Sequence, residues 1–158
     1  MKTEPAIIAN LTIKTEIEDS IEKVWTTLTD NIGDWWPDDF YAGGTAGARD
    51  FNLDLWPGGR MFETWADGGG VLWATVCTID PGKCLQVLGH QFPNWGGPLQ
   101  WYGTWQLESA RNCTILSYSE GIIGRLSDSA MNEKDKGWRF LMSCLKAHVE
   151  GDSAPAWS

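Results

Sequence analysis

Apolar and polar positions along this chain follow two rhythms. Between residues 51 and 120, FNLDLW, RMFETWA, VLWATVCTI, KCLQVLGHQF, LQWYGTWQLE and NCTILSYSE read as strands. Their period is close to two, which sends neighbouring side chains to opposite faces. In LQWYGTWQLE the alternation is clean. Leu99, Trp101, Gly103, Trp105 and Leu107 share one face, and Gln100, Tyr102, Thr104 and Gln106 share the other. Turn chemistry separates the runs at PGG, ADGGG, DPG, PNWGGP and ARN. At Asp80-Pro81-Gly82, proline presets one φ and glycine supplies a positive one.

Steps of three and four dominate elsewhere. After a strand at IIANLTIKTEIE, the segment DSIEKVWTTLTD predicts a helix. Asp19 or Ser20 caps it, Glu22 suits its first turn, and Val24, Trp25 and Leu28 form its stripe. Pro37 disfavours helical geometry at Trp36 and ends the region. A glycine-rich loop, YAGGTAGARD, follows. The last element is a long helix from about Ala130 to Glu150, with Trp138, Leu141, Met142, Leu145 and Val149 on one face. Lys134, Lys136, Arg139 and Lys146 suit its solvent side, and Gly151 sits where a helix-ending glycine would.

These elements predict an α+β protein in the order β-α-α-β6-α. Strands joined by tight turns form an antiparallel meander. The terminal helix is the long amphipathic element able to cover its apolar face. A curved sheet of about seven strands, wrapped around that helix, is therefore expected. We read residues 1–158 as one domain with a core from about 7 to 150. Residues 151–158 are expected to fray unless Trp157 docks.

Composition adds one strong feature. The chain has 158 residues, 42% of them apolar, and 11 are tryptophan. A chain of that length buries roughly two thirds of its unfolded surface. Each buried indole needs a partner for its N–H or access to water. Large rings on a curved sheet seldom fill the space beneath a helix, so a cavity is expected there. The net charge of −9 argues against nucleic acid and anionic membranes as partners. No stretch approaches a membrane span, and MKTEPAIIANLTIK lacks the apolar core of a signal peptide, so we expect a cytoplasmic protein without membrane insertion. Cys77, Cys84, Cys113 and Cys144 show no C-x-x-C spacing and read as reduced, small apolar residues.

Two readings stand for the rings. Trp36, Phe62, Trp65, Trp73, Trp101, Trp105, Tyr118 and Trp138 either line a cavity for an apolar ligand or simply fill the core. As a group we assign them to a cavity. Gly103 would let ligand or helix approach closely. Glu63 is the candidate polar group. An odd-length ADGGG loop puts Glu63 and Trp65 on one face with Val71 and Trp73, whereas an even-length loop separates Glu63 from Trp73. His90 is a second polar candidate, late in its strand. His148 suits the negative end of the last helix. The histidines and cysteines show no metal-ligand spacing, and no metal or cofactor is expected. Nucleophile-elbow, phosphate-loop and dinucleotide motifs are missing, so no catalytic residue is assigned.

The segments SIEKVWTTLTD, PGGRMFETWADGGGVLWATV, TIDPGKCL and GWRFLMSCLKAHVE together resemble the START-like, or SRPBCC, superfamily with its helix-grip fold. Within it the chain is similar to domains homologous to the activator of heat-shock chaperone ATPase. The resemblance spans about residues 7–150 and implies the fold. It leaves function open, because the superfamily hosts carriers, receptors, cyclases and co-chaperones. Our leading expectation is a small hydrophobic ligand, lipid-like or aromatic, entering between loops 37–50, 89–98 and 121–129. The alternative is a chaperone-associated interaction module of the stress response. The third is a cyclase- or hydratase-like enzyme using Glu63 and His90. A monomer or homodimer is expected.

Overall fold

The structure is a computed structural model that describes residues 3–43 and 48–158. The glycine-rich loop at YAGGTAGARD therefore lies partly outside the described residues. The strands are β1 (Ile7–Ile17), β2 (Ala48–Leu53), β3 (Arg60–Trp65), β4 (Gly70–Asp80), β5 (Cys84–Gln91), β6 (Leu99–Ala110) and β7 (Cys113–Gly124). The helices are α1 (Ile21–Thr29), α2 (Ile32–Trp35) and α3 (Asp128–Glu150), with single 3-10 turns at Asp38–Phe40 and Pro93–Trp95. All seven strands join one antiparallel sheet in the order β1-β7-β6-β5-β4-β3-β2. Neighbours in sequence are neighbours in space, except that β1 pairs with β7. This is the helix-grip arrangement, a curved sheet closed on one side by a long terminal helix.

The local chemistry explains the boundaries. Ser20, rather than Asp19, caps α1, its hydroxyl accepting the Lys23 N–H. Asp19 instead pairs with Lys23 at 2.6 Å. Helix α3 begins two residues before the expected start because the Ser127 hydroxyl accepts the Ala130 N–H. It ends at Gly151, whose φ of 78° is the left-handed geometry that glycine adopts without strain.

Burial follows the alternation. From Leu99 to Leu107 on β6 and from Thr114 to Ile122 on β7 every second residue is buried, including Trp101, Trp105, Leu107, Leu116 and Tyr118. Trp138, Leu141, Met142, Leu145 and Val149 of α3 face this surface and are all buried. The second half of α3 packs on β1 and α1. Its first half stands over the middle of the sheet, and there the packing is looser. The tail does not fray completely. The Trp157 ring lies 5.2 Å from Phe40 and 5.0 Å from Phe140. Cys77, Cys84, Cys113 and Cys144 are free thiols.

Candidate functional site

A pocket of about 210 Å³ lies between the first half of α3 and the sheet. Its walls are mostly aromatic. Trp73 and Trp101 come from the sheet, Trp36 and Phe40 from the segment after α1, and Trp138 from α3. Met61 and Leu141 complete the apolar lining, with Glu133, Lys134 and Gly137 at the helix side.

Two glycines set these walls. Gly89 of β5 pairs with Trp101 of β6, and the indole lies flat across it. A Cβ at Gly89 would stand 2.0 Å from the Trp101 ring, so any larger residue would push the indole into the pocket. At Gly137 a Cβ would meet the Phe40 ring at 3.3 Å, so the glycine lets Phe40 pack close to α3. Gly103, the expected point of close approach, instead faces Trp101, Val87 and the Tyr118 hydroxyl.

Glu63 lies beside the pocket and is 1% exposed. It sits opposite Val71, and the Trp65 N–H bonds the Gly69 carbonyl across a three-residue loop, the odd-length case. Met61 pairs with Ala74 while Phe62 pairs with Leu72, which makes Trp73 the extra residue of a β-bulge. Alternation from Val71 already places its indole on the Glu63 face, and the bulge leaves Ala74 buried there as well. Four N–H groups converge on the carboxylate. Oε1 accepts from the Gly43 amide at 2.9 Å and the Trp65 indole at 2.6 Å. Oε2 accepts from the Ala42 amide at 3.0 Å and the Trp73 indole at 3.0 Å. With two donors on each oxygen, Glu63 functions as a clamp that ties residues 42–43 to the sheet.

A second buried carboxylate escaped the sequence reading. Glu120 of β7 is 1% exposed, accepts a hydrogen bond from the Tyr118 hydroxyl at 2.9 Å, and pairs with Lys134 at 2.8 Å. Burial, and then the nearby Glu120 charge, push the Tyr118 hydroxyl pKa well above its ordinary value. Lys134 was expected on the solvent face of its helix. It turns inward because Glu120 requires a counter-charge, and its ammonium rests 5.6 Å above the Trp101 ring. The signal was available in the alternation of β7, where Glu120 follows Leu116 and Tyr118 on the inner face.

The remaining sequence candidates divide by location. Trp105 and Tyr118 pack behind Trp138, with Tyr118 at 3.9 Å and Trp105 edge-on at 5.7 Å from its ring, and they fill the core rather than the pocket. Phe62 points to the outer face, where the Arg60 guanidinium lies 4.4 Å above it. His90 is also on the outer face, in a groove with Leu72, Leu88 and Phe92, and is not brought to Glu63. Trp95 stacks on Trp73 at 6.0 Å and closes the pocket wall from outside. The Trp36 and Trp105 indole N–H groups have no hydrogen-bond partner among the described residues. Trp36 instead stacks on Phe51 at 4.2 Å.

Among the described residues, no group of three or more His, Cys, Asp and Glu could hold a metal ion. No described helix is long and apolar enough to cross a membrane.

With this geometry in hand, comparison with known proteins speaks to the fold. No family model matches the chain, and no curated protein matches it in sequence. Solved structures do match. An uncharacterised protein from Rhizobium leguminosarum superposes with a TM-score of 0.71 at 17% identity, over 94% of this chain and 98% of that one. The Aha1 dimer from Colwellia psychrerythraea gives 0.63 at 21% identity, over 90% and 96%. Ara h 8.0201 gives 0.65 at 10% identity, over 92% and 99%. The class is therefore the α+β helix-grip fold, shared across proteins of very different sequence. Such a fold accommodates ligand-binding and interaction modules alike.

Proposed function

We propose that the protein binds a small aromatic molecule in the pocket between α3 and the sheet. The observation that carries this reading is the pocket itself, about 210 Å³ walled by Trp36, Phe40, Trp73, Trp101 and Trp138. An engineered cavity of about 150 Å³ takes up benzene. The space here therefore suits one ring or two fused rings, and it narrows the initial expectation by disfavouring a long-chain lipid. Behind the pocket the interior is filled by Trp105 and Tyr118 and by aliphatic side chains such as Leu85, Leu116 and Leu145. Phe40 lines the pocket, packed against Gly137, Phe140 and Trp157.

The test is native mass spectrometry and calorimetry with one- and two-ring aromatics against long-chain fatty acids. Saturable binding of the aromatics, with the fatty acids excluded, is the expected result. Absence of any adduct at millimolar aromatic would end the reading.

A second reading, a chaperone-associated interaction module or a homodimer, draws on another observation. Ile8, Leu72, Tyr102 and Ile123 are exposed on the outer face of the sheet, with Phe92 and Trp95 in the adjoining loop. Isolated exposed hydrophobics are ordinary, but a set on one face suits a protein partner. Co-elution with the cognate chaperone, or a dimer in light scattering, weakened by Leu72→Ser with Phe92→Ser, is the corresponding expectation. The cyclase-like reading loses its support, because Glu63 is saturated with donors and His90 is on the other face.

A further inference from the structure

We infer that the pocket selects an uncharged aromatic carrying an acceptor oxygen, such as an aryl ketone, and that Lys134 reads that oxygen. The inference rests on the small-aromatic reading above and specifies its ligand.

The argument begins with charge. Lys134 lines the pocket, and its side chain retains 20% exposure. Among the described residues its partners are Glu120, at 2.8 Å, and the face of Trp101. An ammonium has three N–H donors, so donor capacity remains on the pocket side. The rest of the lining is apolar except for Glu133, which is exposed near Lys136. A bound ring would thus meet one charged donor, on the helix wall, the Trp36 indole N–H being neutral and buried.

The three possible ligand charges are not equivalent. An anion would face Glu133 at the rim and a protein of net charge −9, while the one cation available to it is already neutralised by Glu120. Burying a second carboxylate without its own counter-ion is costly. A cation would gain from the rings and from Glu133, but the Lys134 ammonium already occupies the Trp101 face and would repel it. A neutral acceptor pays neither penalty. It takes a hydrogen bond from a charged donor, the stronger kind, and leaves the Glu120–Lys134 pair in place.

The test compares probes of equal shape on the full chain: acetylnaphthalene, ethylnaphthalene, naphthoate and naphthyltrimethylammonium. Affinity is read by calorimetry and location by the Gly137 amide in NMR. Acetylnaphthalene is expected to bind about tenfold more tightly than ethylnaphthalene, the equivalent of one charge-assisted hydrogen bond. In the paired variant Glu120→Gln with Lys134→Met, which removes both charges together, that gap is expected to close. Equal binding of the ketone and the hydrocarbon, tightest binding by naphthoate or the ammonium, or a gap that survives in the paired variant overturns the inference while leaving the small-aromatic reading standing. If no probe perturbs Gly137, both fail together.

Discussion

Glu63 and Glu120 are both buried carboxylates on the inner face of one sheet, yet they are held by opposite means. Glu63 is surrounded by neutral dipoles, two backbone amides and two indoles. Glu120 is held by a hydroxyl and a full positive charge. The first arrangement ties a loop to the sheet, and the second ties helix α3 to it. Dipoles must each be aimed, so the Glu63 site needs Trp65 and Trp73 on its own face of the sheet and a particular path through residues 42–43. A counter-charge tolerates looser geometry but has to be taken out of water along with its partner. One site therefore depends on backbone shape, and the other on charge balance.

That contrast can be broken most forcefully at Glu63. Glu63→Leu leaves four N–H groups without their acceptor, and a loss of about 4 kcal/mol in urea unfolding is expected, since a stranded donor costs about 1–3 kcal/mol where water cannot reach it. A loss below 1 kcal/mol would show that the clamp contributes little. At the other site, Lys134→Met leaves Glu120 buried without its counter-charge and should cost about 3 kcal/mol. Adding Glu120→Gln should recover most of that loss, because removing both ions together also removes their desolvation. Failure of the second change to rescue the first would abolish the distinction between the two sites.

Smaller changes sharpen it. Trp73→Phe keeps a ring in the pocket wall but withdraws one of the four donors, and about 1 kcal/mol is expected. Trp157→Ala removes a half-exposed ring from Phe40 and Phe140, for about 0.5–1 kcal/mol of stability, and should speed ligand exchange by freeing Phe40. The mildest perturbation changes no residue. Because burial and Glu120 raise the Tyr118 pKa in the folded protein, the folded state resists ionisation that the unfolded state accepts. Stability should therefore be unaffected by this group below about pH 10 and fall as pH rises above it. Absorbance titration should show Tyr118 ionising well above the ordinary tyrosine range. Burial, followed by Asp38 and Glu63, raises the Tyr41 pKa in the Glu63 region as well, although that ring is less enclosed.

The strands, the two helix caps and the apolar face of α3 were legible because each depends on neighbours within a few positions. Alternation, a serine before a helix and a glycine after one act locally, so FNLDLW through NCTILSYSE mapped onto successive strands, and Trp138 to Val149 onto one buried stripe. The pocket was only partly legible. Trp36, Trp73, Trp101 and Trp138 were named and do meet there, but Phe62 and His90 take the outer face, while Trp105 and Tyr118 fill space behind Trp138. Nothing local distinguishes a ring that lines a void from one that fills it. That distinction belongs to the curvature of the sheet, the angle of α3 and the room that Gly89 leaves for an indole. The inward turn of Lys134 had the same origin: its helix position suited solvent, and only a carboxylate from a strand fourteen residues earlier in the chain gave it a reason to point in. Sequence periodicity set which apolar side chains go inside, and long-range packing decided which of them leave space between them and which charges join them.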